Sequence, residues 1–321
     1  MTVDAAPGWL WIGFTLVAAC SQTFRNAMQR SLTARLGTVG ATHVRFLFGL
    51  PFACLFVALI LLLSAPARAL AFGPEFWAWV VVAGLTQIVA TALMLAAMQL
   101  RSFTVATAYV KSEPVLVALL GFAFLGDRLG LWAIAAIVIA TAGVLLMSMA
   151  TPAAAPARVA VPACGPDAAQ APTPSRWRAA LLGIAAGAIF ALSAVGFRGA
   201  VVALGDDAVH VRASVTLVIG LAIQSLVLSA WLRLRSPGTL GEILRAWRPS
   251  LAAGALGAFA SLCWFTAFAL QTAAAVRTLA LVEILFAQAI SRQLFAQRAS
   301  GGEAAGIALV VLGVGALLLS G

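Results

Sequence analysis

Residues 151–175 read TPAAAPARVAVPACGPDAAQAPTPS, and this stretch decides how the chain is divided. It holds six prolines and nine alanines. Proline removes a backbone donor and breaks helices, so the stretch makes neither a spanning helix nor a core. It is a linker. On either side lie long apolar runs. A spanning helix needs about 20 apolar residues. Ten runs meet that need, at 8–28, 41–63, 76–99, 103–125, 130–149, 178–202, 209–232, 249–270, 273–296 and 302–320. Five precede the linker and five follow it.

The whole composition agrees. The chain is 63% hydrophobic and 9% charged, with a mean hydropathy of +1.05, whereas soluble domains carry about 25% charged residues. The runs are too long for barrel strands and do not alternate with period two. The expectation is an all-α integral membrane protein with ten transmembrane helices. Residues 1–150 form a first five-helix repeat, 151–175 the linker and 176–321 a second repeat. The net charge of +10 does not point to nucleic acid. Most arginines lie in short loops, where anionic membrane lipids meet them. Cys20, Cys54, Cys164 and Cys263 show no paired spacing, and three lie in apolar runs as small core residues. Val17-Ala18-Ala19-Cys20 looks like a lipoprotein cleavage box, but no Lys or Arg precedes it, so the segment is expected to stay as a helix.

The two halves resemble each other. Phe24-Arg25-Asn26-Ala27 matches Phe197-Arg198-Gly199-Ala200, and His43-Val44-Arg45 matches His210-Val211-Arg212. Ala83-Gly84 matches Ala253-Gly254, Leu100 matches Leu270, Glu113 matches Glu283 and Gly143-Val144 matches Gly313-Val314, these four at one constant offset. Five helices is an odd number, so the second copy starts on the opposite side of the membrane. That makes an inverted repeat, in which substrate sites tend to lie near the midplane between the copies.

With these features the chain resembles the EamA-like branch of the drug/metabolite transporter superfamily. The resemblance rests on the five-plus-five count, the mid-helix Glu113-Pro114, the turn Leu125-Gly126-Asp127-Arg128-Leu129 and the ending Gly143-Val144-Leu145-Leu146. The family usually has Gly-Glu at that turn; here it is Gly126-Asp127, and Ala296-Gln297 in the second copy. Ser21-Gln22-Thr23-Phe24-Arg25-Asn26 stands where the family commonly carries a Trp-Gly-Ser-Asn-like stretch. The resemblance implies secondary transport of a small metabolite, often export, in a bacterial inner (plasma) membrane. It implies a central cavity lined by helices such as the fourth and ninth.

Charges inside spans are costly, so they pair or line a wet cavity. Lys111 is the sole lysine and Tyr109 the sole tyrosine of the chain. On a helix Lys111 and Glu113 point to different faces, while Tyr109 and Glu113 share one. Pro114 cannot donate to the carbonyl of Val110, so a kink with a free carbonyl is expected beside Lys111. Glu283 repeats Glu113, and Arg277 falls where the first copy has Thr107, one turn before Lys111. Each copy thus offers one cation and one carboxylate near the axis. The expected substrate-binding residues are Lys111, Glu113, Tyr109, Arg277, Glu283, Arg25 and Arg198. Lys111 and Arg277 would attract an anionic or zwitterionic group; Glu113 and Glu283 would hold them or carry a coupling proton. The same residues could instead be interhelical salt bridges that fix packing. Arg45 and Arg212 lie a turn or so inside, where headgroup contact accounts for them. His43 and His210 suit interfacial hydrogen bonds, Trp264 and Phe268 ordinary packing. Glycine pairs such as Gly183 with Gly187, and Gly313 with Gly315, suit close helix packing.

Leu240, Ile243, Leu244 and Trp247 share one helical face, with Arg245 and Arg248 on the other side, as in a short interfacial helix. The loops on one side hold Arg30, Arg35, Arg101, Arg158, Arg176, Arg178, Arg233, Arg235, Arg245, Arg248 and Arg298, and the other side Arg68 and Arg128. That bias places the termini outside the cytoplasm, whereas the family resemblance implies cytoplasmic termini. Two rival functions are a passive channel or facilitator and a membrane-embedded enzyme. The enzyme lacks support: there is no His-Glu-x-x-His, no Gly-x-Ser-x-Gly and no aspartate within a span. No catalytic residue, metal site or cofactor is expected, and no ATP-binding P-loop is present.

Overall fold

A single glycine breaks the first long stretch of helix. The computed structural model describes residues 8–64, 70, 72–100, 103–150, 176–205, 208–284 and 301–319. Helix α1 (Leu10–Leu47) is followed at once by α2 (Gly49–Leu63). Together they span 54 residues, far more than the roughly 20 that one crossing needs. Gly37, inside α1, divides this stretch, with φ 66° and ψ 175°, a backbone conformation that side chains with a Cβ rarely adopt. The Gln29 side chain donates to the carbonyl of Ala41 at 3.0 Å and ties the two sides of the break together. The first expected run therefore precedes Gly37 and the second follows it.

The other helices are α3 (Pro74–Leu100), α4 (Phe103–Val110), α5 (Glu113–Leu125), α6 (Leu131–Ala150), α7 (Arg176–Ala203), α8 (Val209–Arg235), α9 (Pro237–Arg245), α10 (Trp247–Leu270), α11 (Ala273–Leu279) and α12 (Gly301–Leu319). Among the described residues there is no strand. Among the described residues five helical stretches, with Leu10–Leu63 counted as one, are long and apolar enough to cross a membrane, and Glu113–Leu125, Leu131–Leu146 and Ala304–Leu319 are shorter apolar helices. The fourth run is divided by a break, and the ninth is described only as far as residue 284. The linker 151–175, Arg68, Arg101, Arg158, Arg298 and Ala296-Gln297 lie outside the described residues.

Packing follows a simple rule. α1 packs along α10, and α3 packs along α7; α2 pairs with α8, and α6 with α12. Numbering runs within each half, first packs with third across the halves, second with second and fifth with fifth. Exchanging the halves leaves this pattern unchanged. The agreement extends to single residues on α6 and α12. A Cβ placed on Gly143 would sit 2.7 Å from the Gly306 oxygen and 2.8 Å from the Val310 nitrogen. One on Gly313 would sit 2.7 Å from the Ala136 oxygen and 2.5 Å from the Ala140 nitrogen. Each set is the other moved by the offset that relates Glu113 to Glu283. Gly315 has nothing within 4 Å and does not serve the expected packing.

The exterior is apolar, and the polar side chains of the long helices are buried among an apolar core. Leu62, Leu63, Leu131 and Trp132 are largely exposed, whereas Gln29, Gln87, Gln224 and Ser250 are buried. Helix α1 runs through Val17–Cys20, with Ala18 and Ala19 in the core. Cys263 is buried, but Cys20 and Cys54 face outward, against the expectation of core residues. Helix α9 forms where the interfacial helix was expected. Ile243 is fully buried near Gly40 of α1, while Leu244 and Trp247 point outward instead of sharing its face.

The fourth and ninth runs break at equivalent places. α4 ends at Val110 and α5 begins at Glu113, with Ser112 donating to the Tyr109 carbonyl at 3.4 Å. α11 ends at Leu279, and Leu281, Glu283 and Ile284 donate three residues back to Thr278, Ala280 and Leu281. Such i−3 bonds tighten the helix into a 3₁₀ turn. Pro114 accounts for the first break. The second has Ile284 at that position, so proline is not its cause.

Candidate functional site

The two breaks bring four charges together at the centre of the bundle. Lys111 Nζ lies 2.6 Å from Glu283 Oε2, and Arg277 Nε lies 3.1 Å from Glu113 Oε1. Each cation thus pairs with the carboxylate of the other half, not with the one beside it in sequence. Helical geometry had separated Lys111 from Glu113; the fold supplies each with a partner across the axis. The first pair is also a hydrogen bond. The second is an ion contact without hydrogen-bond alignment. Instead, the Arg277 guanidinium lies over the rings of Trp264 and Phe268, 4.5 Å and 5.4 Å from their centres, a cation–π arrangement. Gln22 joins the network: it donates to Glu283 Oε2 at 3.3 Å and accepts from Trp264 Nε1 at 3.1 Å.

These side chains line a cavity of about 30 Å³, room for roughly two waters. Arg25 and Arg45 complete its charged wall. Both are buried, and their stems cross the same point of α10: a Cβ on Gly257 would lie 3.2 Å from Arg25 Cδ and 3.2 Å from Arg45 Cγ. Arg25 donates through Nε and Nη2 to Asn26 Oδ1, at 3.2 and 2.7 Å. Arg45 reaches Thr91 Oγ1 and Ser261 Oγ, both at 3.4 Å. The cavity therefore carries four cations and two carboxylates, drawn from both halves.

Five of the seven residues expected at the site are there: Lys111, Glu113, Arg277, Glu283 and Arg25. Tyr109 and Arg198 are not. The chain breaks after Val110, so the face shared by Tyr109 and Glu113 does not exist, and Tyr109 packs on α7 at Gly183. The carbonyl of Val110 is likewise covered by α7, since a Cβ on Gly187 would sit 2.6 Å from its oxygen. It is not offered to a ligand. Arg198 binds the Phe268 and Gln271 carbonyls at the end of α10, at 2.8 and 2.6 Å, and pairs with Asp127 at 2.8 Å. It anchors the α5–α6 turn to α7 and α10.

Arg45, Gln22, Trp264 and Phe268 line the cavity although headgroup contact or plain packing was expected of the arginine and the aromatics. The second run was read from residue 41, but the break at Gly37 starts it earlier. Arg45 is then about two turns inside, too deep for a headgroup. Arg212, its counterpart, donates to the Val201 carbonyl at 3.4 Å and does not line the cavity. The histidines bond to serines of the facing helix: His43 Nε2 with Ser229 at 3.0 Å, and His210 Nε2 with Ser64 at 2.9 Å. His43 is fully buried, not interfacial.

Residues 9–149 match the model of the EamA-like transporter family. Over this stretch the chain is similar to the EamA-like family, a branch of the drug/metabolite transporter superfamily. The match covers the half that precedes the linker. A solved crystal structure is similar to this protein over 97% of this chain and 95% of its own, with a TM-score of 0.63 and 16% identity. That likeness is one of fold, and it reaches through the second half. No curated protein matches. The matched family is one of membrane transporters.

Proposed function

We propose that this protein is a secondary active transporter that exports a small anionic or zwitterionic metabolite by alternating access. Its ten spans form two inverted five-helix repeats in a bacterial inner membrane. One observation carries the reading: a central cavity, lined by both halves, holds six buried charges, four of them joined in ion pairs that cross between the halves.

A fixed structural bridge needs no such cavity. A transporter needs a site that two gating states share, and a pseudo-two-fold axis through crossed pairs provides it. At about 30 Å³ the cavity admits a metabolite only if the walls part. The Lys111–Glu283 and Arg277–Glu113 pairs join the broken fourth and ninth runs, so a substrate that binds the cations competes with the carboxylates. A proton on Glu283 would release Lys111 in the same way, which gives the carboxylates a coupling role. The tightened turns beside both carboxylates are the hinge points.

The test is counterflow in proteoliposomes. Vesicles loaded with an unlabelled anionic or zwitterionic metabolite should accumulate the labelled form transiently, with saturation, and Lys111→Ala should abolish it. Linear, non-saturable flux without counterflow would identify a passive channel and overturn the reading.

A further inference from the structure

The charge balance of the cavity sets a narrower condition on what binds there, on the premise that it is the transport site. Lys111 and Glu283 cancel, and so do Arg277 and Glu113. Arg25 and Arg45 remain. Among the described residues the third ion pair is Arg198–Asp127, outside the cavity, so neither arginine makes an ion pair, although Glu283, already paired with Lys111, is near enough to act on Arg25. Each is almost completely buried, 1% and 3% exposed. A buried lysine can shed its proton; an arginine cannot. Two positive charges therefore stay in a site that solvent hardly reaches, and an uncompensated buried charge is strongly destabilising.

Their hydrogen bonding is incomplete as well. Among the described residues Arg25 Nη1 and Arg45 Nε are buried with no hydrogen-bond partner. The contacts that exist go to neutral oxygens, and those of Arg45 are long. The two stems lie side by side over Gly257, where any side chain would push them apart. Asn26, Thr91 and Ser261 hold the guanidinium groups without neutralising them. Guanidinium forks match carboxylate and phosphate oxygens.

We infer that the cavity binds a small organic dianion, either one compact phosphate-ester group or two carboxylates, held by Arg25 and Arg45 over Gly257. Two negative charges neutralise the arginine pair and leave both crossed ion pairs intact. A zwitterion brings no net charge and leaves the excess in place. The arginine pair is a property of the first half alone, because Arg198 and Arg212 are engaged elsewhere. The site is therefore polar along the pseudo-axis, and the ligand sits off-centre toward α1 and α10.

The test uses the purified full chain in detergent at fixed ionic strength. Thermal unfolding is followed while glycerol 3-phosphate, succinate, lactate or alanine is titrated. Glycerol 3-phosphate or succinate should raise the Tm saturably, with an apparent Kd at least tenfold below those of lactate and alanine. Which of the two wins tells phosphate from dicarboxylate. Arg25→Gln and Arg45→Gln should each weaken the dianion by tenfold or more, and Arg25→Lys and Arg45→Lys by less. If a Gln variant does not fold, the Lys variants carry the comparison, since they retain charge and lose the fork. Equal shifts with alanine, or dianion shifts that all four variants leave unchanged, would overturn the inference. Counterflow of alanine without dianion binding would keep the transporter reading and sink the dianion. Dianion binding without counterflow would do the reverse.

Discussion

Lys111 shows what a single side chain does here and how it is tested. Its charge was legible in the sequence, because a lone lysine inside an apolar run needs a reason. Its partner was not, because pairing across the axis depends on how the halves dock. Lys111→Met would leave Glu283 buried with Gln22 as its remaining polar contact. Breaking a buried pair from one side typically costs about 3–5 kcal/mol, whereas replacing both partners by apolar residues is often neutral. The expected outcome is a large fall in unfolding temperature for Lys111→Met, most of it recovered in Lys111→Met with Glu283→Met. Thermal melts in detergent decide it. The double variant should still fail to transport. If it is no more stable than the single one, Lys111 and Glu283 do not act as a pair.

Glycine gives the same lesson from the other side. Gly257 carries no visible signal in sequence, since its purpose is set by two arginines more than two hundred positions away. Gly257→Ala would place a methyl group 3.2 Å from both stems. The arginine heads should shift while the fold survives. Ligand affinity should fall tenfold or more, with the Tm of the unliganded protein within a few degrees of the parent. A titration of the dianion against the variant measures it.

At the scale of elements, the long apolar helices and the short helix α9 could be read from composition and period. The breaks could not be read equally well. Pro114 announces the one before Glu113, although the outcome is two helices rather than a kinked one. The break before Glu283 has no proline and arises from i−3 bonding that no residue type dictates. The contact between α6 and α12 yields a sharp prediction. Gly313 and Gly315 look alike in sequence, yet a Cβ on Gly313 would fall 2.5 Å from the Ala140 nitrogen while Gly315 faces open space. Gly313→Ala should therefore destabilise by about 1–3 kcal/mol, the usual cost of overpacking. Gly315→Ala should change stability by less than about 0.5 kcal/mol. Parallel melts of the two variants check this, and equal effects would mean that the helices do not meet at Gly313.

For the whole molecule, duplication was legible and its asymmetry was not. The matching motifs suggested equal roles for Arg25 and Arg198, and for Arg45 and Arg212. The fold gives the first of each pair to the cavity and the second to other contacts. Symmetric sequence does not force symmetric use, because the equivalent arginines meet different neighbours: Arg25 and Arg45 lie over Gly257, while Arg198 is held by the end of α10 and Asp127. The same reasoning bears on orientation. Gly40, after the break at Gly37, lies against Thr239 and Ile243 of α9, and Gln99 at the end of α3 bonds to Thr38. These contacts gather Arg30, Arg35, Arg233, Arg235, Arg245 and Arg248 at one end of the bundle. Ser64 and His210 meet at the other. Arginine-rich short loops stay in the cytoplasm, so the helix ends near Ser64, and the two termini with them, should face away from it. A C-terminal alkaline phosphatase fusion is expected to be active in cells, and a C-terminal green fluorescent protein fusion dark. The opposite pattern would show that the protein inserts against its own charge bias. The arginine-rich end would then be the outer mouth of the cavity, and the dianion would meet Arg25 and Arg45 from the other direction.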